Sequence, residues 1–241
     1  MTKRVPVEER IKAKGHEIAQ ELREFFQKRG IFVVNLIGAP GSGKTSLLEA
    51  LAPQIRSRAA VIEGDLQTDV DKRRIEQAGL RAYQINTVSA CHLDAGMVRD
   101  ALKEFPLDNT QFLFIENVGN LICPASFELG EDMKVVVISV TEGDDKPAKY
   151  PKALRVASAV VITKTDLLPY IPCDVGRLRR EIQAVVPEMP IFTTSAQTGH
   201  GIEEFLTWIE AMAGSLSGLD RPAGPESGRA KARPYHADTR G

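Results

Sequence analysis

One segment of eight residues constrains the fold of this chain more than any other feature. GAPGSGKT (residues 38–45) matches the pattern G-x-x-x-x-G-K-[ST], and it follows the β-branched apolar run IFVVNLIG (31–38). The run predicts a strand buried on both faces, and the residues after the loop predict a helix. A strand, a glycine-rich loop and a helix in this order predict a phosphate-binding loop, whose backbone N–H groups converge on phosphate oxygens.

The individual residues of the loop have separate predicted roles. Its glycines let the backbone wrap closely around a phosphate group. Lys44 is expected to reach the β- and γ-phosphates, and the Thr45 hydroxyl is expected to take one coordination position of Mg²⁺. The predicted nucleotide contacts of this segment are Gly38, Gly41, Ser42, Gly43, Lys44, Thr45 and Ser46.

Short apolar strands alternate with helices along the rest of the chain, which predicts right-handed βαβ units. The fold class is therefore α/β, a mostly parallel central sheet flanked by helices. The predicted strands lie near 59–63, 81–85, 111–116, 134–140, 157–163 and 190–193. The predicted helices lie near 43–56, 69–78, 94–104, 174–186 and 201–213.

Three regions are predicted along the chain. Residues 1–30 form an N-terminal helical extension, since apolar residues recur at helical spacing from residue 7. Residues 31–214 form the nucleotide-binding domain. Residues 215–241 are expected to be a disordered tail, because they contain no Ile, Val or Phe and cannot bury enough apolar surface.

Composition narrows the class of partner and the location. A net charge of -1 argues against general nucleic-acid binding, which needs a basic surface. No apolar run approaches the roughly 18 residues of a membrane span, so no membrane partner is predicted. The first 15 residues lack the apolar core of a signal peptide, which makes a cytoplasmic location the expectation.

Two acidic residues at predicted strand ends are candidates for the magnesium shell. FLFIENVG (112–119) places Glu116 at the end of an apolar strand and Gly119 three residues later, which resembles the D-x-x-G switch of GTPases. Glu116 would hold a magnesium-bound water, and the Gly119 N–H would sense the γ-phosphate. Asp65 ends the strand VIEGD and is the second candidate. Either acid could instead be a solvated strand-end carboxylate.

No catalytic base is identified in the sequence. The catalytic prediction therefore rests on positioning and electrostatics from Lys44, Thr45 and Glu116. No arginine finger is evident either, and slow turnover without partners is expected.

Two further segments predict which base is bound. AVVITKTD (159–166) resembles the guanine motif N-K-x-D, with Thr163 in the Asn position. Asp166 would accept two hydrogen bonds from the guanine edge, and the stem of Lys164 would cover the ring. A second segment resembles the S-A-K loop that touches the guanine carbonyl, with Gln in place of Lys. Its residues are Ser195, Ala196 and Gln197. GTP is the predicted substrate and ATP the alternative.

Three residues are candidate metal ligands: Cys91 and His92, which are adjacent, and Cys123, which follows the predicted switch. Two thiolates and an imidazole suit Zn²⁺ or Ni²⁺. Three ligands leave coordination to be completed by water or by the same cluster across a two-fold axis. The alternative is that both cysteines are buried thiols. Cys173 has no evident partner.

Taken together, these segments resemble the hydrogenase-maturation GTPases of the HypB type. These are relatives of the urease accessory GTPase within the SIMIBI class of P-loop GTPases. The resemblance covers residues 7 to 213. It rests on GAPGSGKTSLLE, EGDLQTDVD, CHLDA, IENVGNLICP, VTEGDDKPAKYP and ITKTDLLPY.

The resemblance implies a GTP-hydrolysing metallochaperone that assists nickel insertion into [NiFe]-hydrogenase. It implies hydrogenase maturation factors and the hydrogenase large subunit as partners, and a homodimer that binds Zn²⁺ or Ni²⁺ at its interface through Cys91, His92 and Cys123. Lys146 is a candidate nucleotide contact across that dimer, or else a solvated lysine. Unlike some members, the chain carries no Cys-rich or His-rich nickel motif before residue 91.

Three other functions stay open at this point. The chain would be a GTP-dependent assembly switch if its cysteines were structural. It would be a urease-type nickel accessory GTPase if the acceptor were urease. It would be an ATP-dependent small-molecule kinase if the acceptor were not water.

Overall fold

A computed structural model describes residues 7–65, 69–87 and 90–217 of the chain, with side chains from residue 13 to 215. All but the first three residues of the predicted tail lie outside this part. Its eight α-helices are α1 (Val7–Lys28), α2 (Lys44–Ile55), α3 (Val70–Gln77), α4 (Ala95–Glu104), α5 (Lys146–Lys149), α6 (Pro151–Val156), α7 (Val175–Val185) and α8 (Ile202–Ser217). Short 3₁₀ turns occupy Pro124–Ser126, Val140–Glu142 and Thr165–Tyr170.

Seven strands form one sheet in which every described pairing is parallel. The strands are β1 (Phe32–Gly38), β2 (Ala59–Asp65), β3 (Arg81–Asn86), β4 (Phe112–Glu116), β5 (Met133–Ser139), β6 (Ala159–Thr163) and β7 (Ile191–Thr193). Their order is β3-β2-β4-β1-β5-β6-β7. The structure confirms the predicted parallel α/β fold and each predicted strand. The strands are apolar because helices cover both faces of the sheet.

The predicted helices are also confirmed, and the largest shift is at α8, which ends at Ser217 rather than at residue 213. Helices α5 and α6 were not predicted from the sequence. Each of these is only one to two turns long and begins with a proline, Pro147 or Pro151, at its first or second position. Prolines spaced this closely are typical of loops, although Pro also suits the first turn of a helix. None of the helices in the described part of the chain combines the length and apolar character that a bilayer crossing needs.

Two layers of core cover the sheet. On one face, α2 and α8 pack against the central strands. On the other face, α4 and α1 do so, and Phe26 of α1 lies in the same cluster as Val33 of β1 and Leu113 of β4. A Cβ at Gly130 would lie 2.7 Å from the Leu22 Cβ, so only glycine lets the loop before β5 approach α1 this closely. Although predicted as an extension, α1 is packed into the domain.

The topology brings the predicted motifs to one edge of the sheet. Strands β2, β3 and β4 lie on one side of β1 and β5, β6 and β7 lie on the other, so the order reverses direction beside β1 and leaves a topological switch point at its carboxyl end. Ligands of open α/β sheets bind in the crevice at such a switch point. The phosphate loop follows β1, and the other predicted nucleotide motifs follow β2, β4, β6 and β7.

The packing of α1 predicts that truncating Phe26, which is 1% exposed, destabilises the whole domain. We expect Phe26→Ala to lower the free energy of unfolding by about 3–5 kcal/mol, because it leaves a cavity between α1 and the sheet. Denaturant unfolding measures this. The matched control is Phe25→Ala, because Phe25 is only partly buried and should cost clearly less. Equal small losses in both variants would mean that α1 is dispensable.

Candidate functional site

The phosphate loop has the geometry of an anion cradle. Gly41 and Gly43 have φ of 73° and 92°, a left-handed conformation that favours glycine. A Cβ at Gly38 would lie 2.5 Å from the Ser42 Oγ, so this position also requires glycine. Lys44 Nζ folds back onto the loop and donates to the carbonyl oxygens of Gly38 and Ala39, both at 3.3 Å. Burial lowers the pKa of Lys44.

A hydrogen bond joins the loop to the strand that carries the predicted switch. Thr45 Oγ1 donates to Glu116 Oε1 at 2.8 Å. Glu63 of β2 lies beside Glu116, since the two are paired residues in the parallel register of β2 and β4. Glu63 is 2% exposed and Glu116 4% exposed, so two carboxylates share one buried position.

The two carboxylates are short of partners. Within the described residues, the second oxygen of each, Glu63 Oε2 and Glu116 Oε2, is buried and makes no hydrogen bond. Burial, reinforced by the neighbouring carboxylates, raises the pKa of Glu63 to about 8. Burial likewise raises the pKa of Glu116 to about 7, against the opposing effect of Lys44. Buried carboxylate oxygens beside a threonine hydroxyl form the hard oxygen donor set that Mg²⁺ prefers.

A cavity of about 420 Å³ brings most of the predicted phosphate and magnesium residues together. The predicted residues that line it are Gly41, Gly43, Lys44, Thr45, Ser46, Asp65, Glu116, Gly119 and Lys164. Gly38 and Ser42 lie within the loop itself and do not line it.

Four polar residues that line the same cavity were not predicted from the sequence, namely Glu63, Asp71, Arg74 and Asn117. Glu63 precedes Asp65 by two positions in a strand, so their side chains share a face, and this spacing could have identified it. Arg74 is held by Glu49 at 2.6 Å and by the Ser46 Oγ at 3.0 Å. Nothing in the sequence of α3 distinguishes Arg74 from its exposed neighbours.

The residues of the predicted N-K-x-D motif contact the phosphate loop. Thr163 Oγ1 donates to the Ser42 carbonyl at 2.5 Å, and Lys164 Nζ donates to the Gly41 carbonyl at 2.7 Å. Lys164 has a left-handed backbone, with φ of 60°. Threonine in the Asn position therefore supplies a hydrogen bond that fixes the loop against β6.

The second predicted base motif lies beside the first. Asp166 Oδ1 accepts a hydrogen bond from Ser195 Oγ at 2.6 Å. A smaller cavity of about 180 Å³ is lined by Thr163, Lys164 and Asp166 together with Ala196 and Gln197, which are exposed. This cavity adjoins the phosphate cavity, since Gly43 and Ser46 line both.

The three candidate metal ligands come together although 32 positions separate Cys91 from Cys123. One ligand atom from each of Cys91, His92 and Cys123 lies within 4.8 Å of the others. The two sulfur atoms are 2.9 Å apart, and Cys91 Sγ is 3.7 Å from His92 Nδ1. The His92 ring stacks on Phe127 at 3.9 Å. Burial lowers the pKa of His92, which favours the neutral imidazole that binds metals.

The cluster is open on one side. Cys91 is exposed, and the other two ligands are partly buried. The hydrogen bond from Cys91 to Cys123 raises the pKa of Cys91, so a bound cation has to displace a proton from this pair. Cys173 packs in a separate apolar cluster with residues of α7.

Lys146 lies apart from both cavities. It begins α5, and its Nζ is 3.1 Å from Glu142 Oε2 and 5.4 Å from the centre of the Tyr150 ring. Within one chain it is held by these neighbours, so its expected contact across a dimer stays a prediction.

Comparison with known proteins places this geometry in a family. Residues 32–193 match the family described as CobW/HypB/UreG, nucleotide-binding domain. The hydrogenase maturation factor HypB of Rhizobium leguminosarum bv. viciae is 46% identical over 211 residues, which cover 87% of this chain and 71% of the relative. The HypB of Escherichia coli is 47% identical over 201 residues, covering 83% and 69%.

Solved structures agree with the sequence comparison. The crystal structure of HypB from Helicobacter pylori in complex with nickel has a TM-score of 0.80 and 41% identity, covering 84% of this chain and 96% of that one. HypB from Archaeoglobus fulgidus has a TM-score of 0.77 and 37% identity, covering 83% and 99%. At 18% identity and a TM-score of 0.56, a LAO/AO transport system kinase shares the fold alone. The chain therefore belongs to the CobW/HypB/UreG family of P-loop nucleotide-binding proteins, and its similarity is to the HypB members.

Proposed function

We propose that this protein is a GTP-hydrolysing metallochaperone that carries Ni²⁺ or Zn²⁺ as cargo and assists nickel insertion into a hydrogenase. One observation carries the proposal. A single segment of eight residues starts at Glu116 in the phosphate cavity and ends at Cys123 in the cysteine and histidine cluster. A change at the nucleotide is therefore a few residues away from a change at the cargo.

The phosphate end of the site supports GTP with magnesium. The loop N–H groups and Lys44 would hold the phosphates, while Thr45, Asp65 and Glu116 would hold Mg²⁺, with Glu63 beside them. Bound magnesium supplies positive charge against the β- and γ-phosphate oxygens. The buried carboxylates stay ionised beside such a cation, because an opposite charge lowers the pKa that burial raises.

The base end of the site supports guanine. Asp166 lies at the smaller cavity, and its Oδ1 is already oriented by Ser195. A carboxylate accepts both donors of the guanine edge, and adenine lacks this donor pair. Lys164 is fixed to the loop through the Gly41 carbonyl, and its aliphatic stem would cover the ring.

Contacts between the switch and the loop support coupling. A Cβ at Gly119 would lie 2.8 Å from Pro40, so Gly119 lies directly against the phosphate loop. The backbone of Gly38 also forms an antiparallel bridge with Asn120. A γ-phosphate that draws Gly119 towards the loop would displace the chain leading to Cys123, and its loss on hydrolysis would release that chain.

The cargo site supports a transfer function and a dimer. Three ligands with an exposed face leave room for water or for a second copy of this chain to complete the coordination. Lys146 would then contact the nucleotide of the partner. The names of the Helicobacter relatives, hydrogenase/urease maturation factors, support nickel enzymes as the class of acceptor.

The cargo site predicts that replacing both thiols abolishes metal binding. We expect Cys91→Ala with Cys123→Ala to lose the stoichiometric Ni²⁺, because one imidazole alone binds it weakly. In the wild-type protein, Ni²⁺ affinity should differ between the GDP form and the form with a non-hydrolysable GTP analogue, by about fivefold or more. Titration against a chelating dye measures both quantities.

The control for this double variant is Cys173→Ala, which removes a thiol outside the cluster and should retain the metal. Full metal binding by the double variant would instead favour an assembly switch with structural cysteines. Equal affinity in both nucleotide states would contradict coupling, because a ligand shifts an equilibrium only through differential binding.

The base site predicts that Asp166→Ala loses GTP selectivity. We expect GTP affinity to fall about 100-fold, since two hydrogen bonds to a charged group are lost, while ATP affinity stays as weak as before. Competition with a fluorescent GDP analogue measures both. The control is Asp108→Ala, an exposed carboxylate at the opposite edge of the sheet. An unchanged GTP affinity would contradict guanine recognition by Asp166, and a variant that still transfers phosphate from ATP to an acceptor other than water would point to an ATP-dependent kinase.

The carboxylate pair predicts a pH-dependent effect of Glu63→Gln in nucleotide-free and metal-free protein. The folded state raises the pKa of Glu63 from 4.5 to about 8. Between these values the folded state binds more protons than the unfolded state, so wild-type stability falls as pH rises through this window. Glutamine carries no charge, so the variant should exceed the wild type by about 2 kcal/mol at pH 8.5 and by much less near pH 5.

Denaturant unfolding at the two pH values tests this prediction. Glu188→Gln, at an exposed carboxylate, provides the comparison and should show the same pH dependence as the wild type. If the difference between Glu63→Gln and the wild type did not change with pH, a buried carboxylate at this position would be the wrong explanation.

A further inference from the structure

We propose that two asparagines of the switch segment, Asn117 and Asn120, are positioning residues that hold the tripeptide Cys91–Leu93 and transmit the nucleotide state to Cys91 and His92. This inference rests on the proposed function and names its regulatory contact. Cys123 is linked to the switch through the chain itself. The other two ligands lie more than twenty positions earlier in sequence, so they need a contact in space to follow the same change.

Asn117 holds the end of the tripeptide that follows the ligands. It is 1% exposed, and its Oδ1 accepts from the backbone N–H of Leu93 and of Val118, both at 3.0 Å. One side-chain oxygen thus joins the ligand segment to the switch backbone. Backbone N–H groups that are buried need such a partner, so this bond defines where Leu93, and with it His92, lies.

The amide nitrogen of Asn117 is held by a second set of hydrogen bonds within the sheet. Its Nδ2 donates to Asn35 Oδ1 at 3.2 Å, and Asn35 Nδ2 donates to Glu131 Oε1 at 3.2 Å. Glu131 is paired with Lys134 at 3.1 Å. All four side chains are buried, and they form a polar chain through the sheet from β5 to the switch. A fully bonded buried network is rigid, so Asn117 is a stationary support.

Asn120 holds the other end of the tripeptide. Its Nδ2 donates to the Cys91 carbonyl at 3.2 Å, and its Oδ1 accepts from the Ile122 N–H at 2.9 Å. Asn120 is only partly buried, and its backbone bridges that of Gly38 at the start of the phosphate loop. It therefore contacts the loop, the ligand segment and the chain that leads to Cys123.

The two contacts lie on opposite sides of Gly119, the predicted sensor of the γ-phosphate. A shift of Gly119 against Pro40 would move Asn120 relative to the stationary Asn117. Cys91 would then follow Asn120, while Leu93 stays with Asn117. The separation of Cys91 from His92 and Cys123 would change with the nucleotide, and so would the affinity for the cargo. Cys91 and His92 lie in irregular backbone rather than in a helix or strand, which permits this change in their separation.

Two variants at Asn120 separate this role from a local one. Asn120→Asp keeps the acceptor for the Ile122 N–H and removes only the donor to the Cys91 carbonyl. Asn120→Ala removes both bonds. The matched control is Ser126→Ala, three residues beyond Cys123, which removes the 2.6 Å hydrogen bond that Ser126 accepts from Lys152 and no hydrogen bond to the tripeptide Cys91–Leu93.

The measurement is the ratio of Ni²⁺ affinities in the form bound to a non-hydrolysable GTP analogue and in the GDP form, obtained with a competing chelator. Asn120→Ala adds no charge, so agreement between the two variants separates the lost hydrogen bond from the added charge of Asn120→Asp. We expect both Asn120 variants to bring the ratio closer to one by about threefold or more, and Ser126→Ala to keep the wild-type ratio. Reduced hydrogen-exchange protection around Cys91 in the same variants would support the lost contact.

Each other outcome is informative. A wild-type ratio in Asn120→Asp overturns the inference and leaves the proposed function intact. The coupling would then need only the hydrogen bond from the Ile122 N–H and not the bond to the Cys91 carbonyl. A change in affinity with an unchanged ratio also overturns it, because that is a purely structural effect. A ratio of one in the wild-type protein overturns the proposed function and this inference with it. If Asn120→Ala fails to fold, Asn120→Asp decides the case.

Discussion

The hydrogen bond from Thr45 to Glu116 is the contact on which the site depends. It joins the first turn of α2 to the end of β4, and it does so in a buried position where Glu63 adds a second carboxylate. Two buried carboxylates repel each other when both are ionised, and burial removes the water that would otherwise hydrate them. Both effects destabilise the ionised forms. Lys44 compensates only in part, because the pKa of both acids stays raised. The fold therefore holds a carboxylate pair whose charge the proposed Mg²⁺ would offset.

This position exists because the sheet is parallel. All strands end at the same edge, so acids in the last residues of β2 and β4 meet the loop that follows β1 without any long connection. The register of β2 with β4 then sets Glu63 opposite Glu116. A shift of one residue would turn one of these side chains to the other face of the sheet. The core thus determines the chemistry of the site through strand register rather than through the loops alone.

The parallel sheet and the phosphate loop could be predicted from the sequence for a physical reason. Buried parallel strands are continuous apolar runs, and the phosphate loop needs glycines at fixed positions, so both leave a local pattern. The spacing of Glu63 and Asp65 could have indicated that the two side chains share a face, but the pairing of Glu63 with Glu116 across β2 and β4 leaves no local pattern. Arg74 was missed for the same reason, since its role comes from Glu49 and Ser46 on another helix.

The cysteine and histidine cluster shows the same limit. Residue types alone favoured buried thiols at Cys91 and Cys123, and only the family resemblance favoured a metal site. In the structure their sulfur atoms are 2.9 Å apart, and Asn117 and Asn120 form hydrogen bonds to the segment of Cys91, which is far from them in sequence. The sequence of IENVGNLICP contains both asparagines, yet nothing local indicates that they bond to the ligand segment.

An open three-ligand cluster suits cargo better than a resident ion. Structural zinc sites are closed by four protein ligands, and their binding energy stabilises the fold. Here Cys91 is exposed, and the domain core is complete without the cluster, so an ion bound there contributes little to folding. A cation held by three ligands has an open coordination position, which a ligand of the acceptor can occupy before the cation dissociates from this protein. If two of those ligands move with the nucleotide through Asn120, the same three groups can bind tightly in one state and weakly in the other.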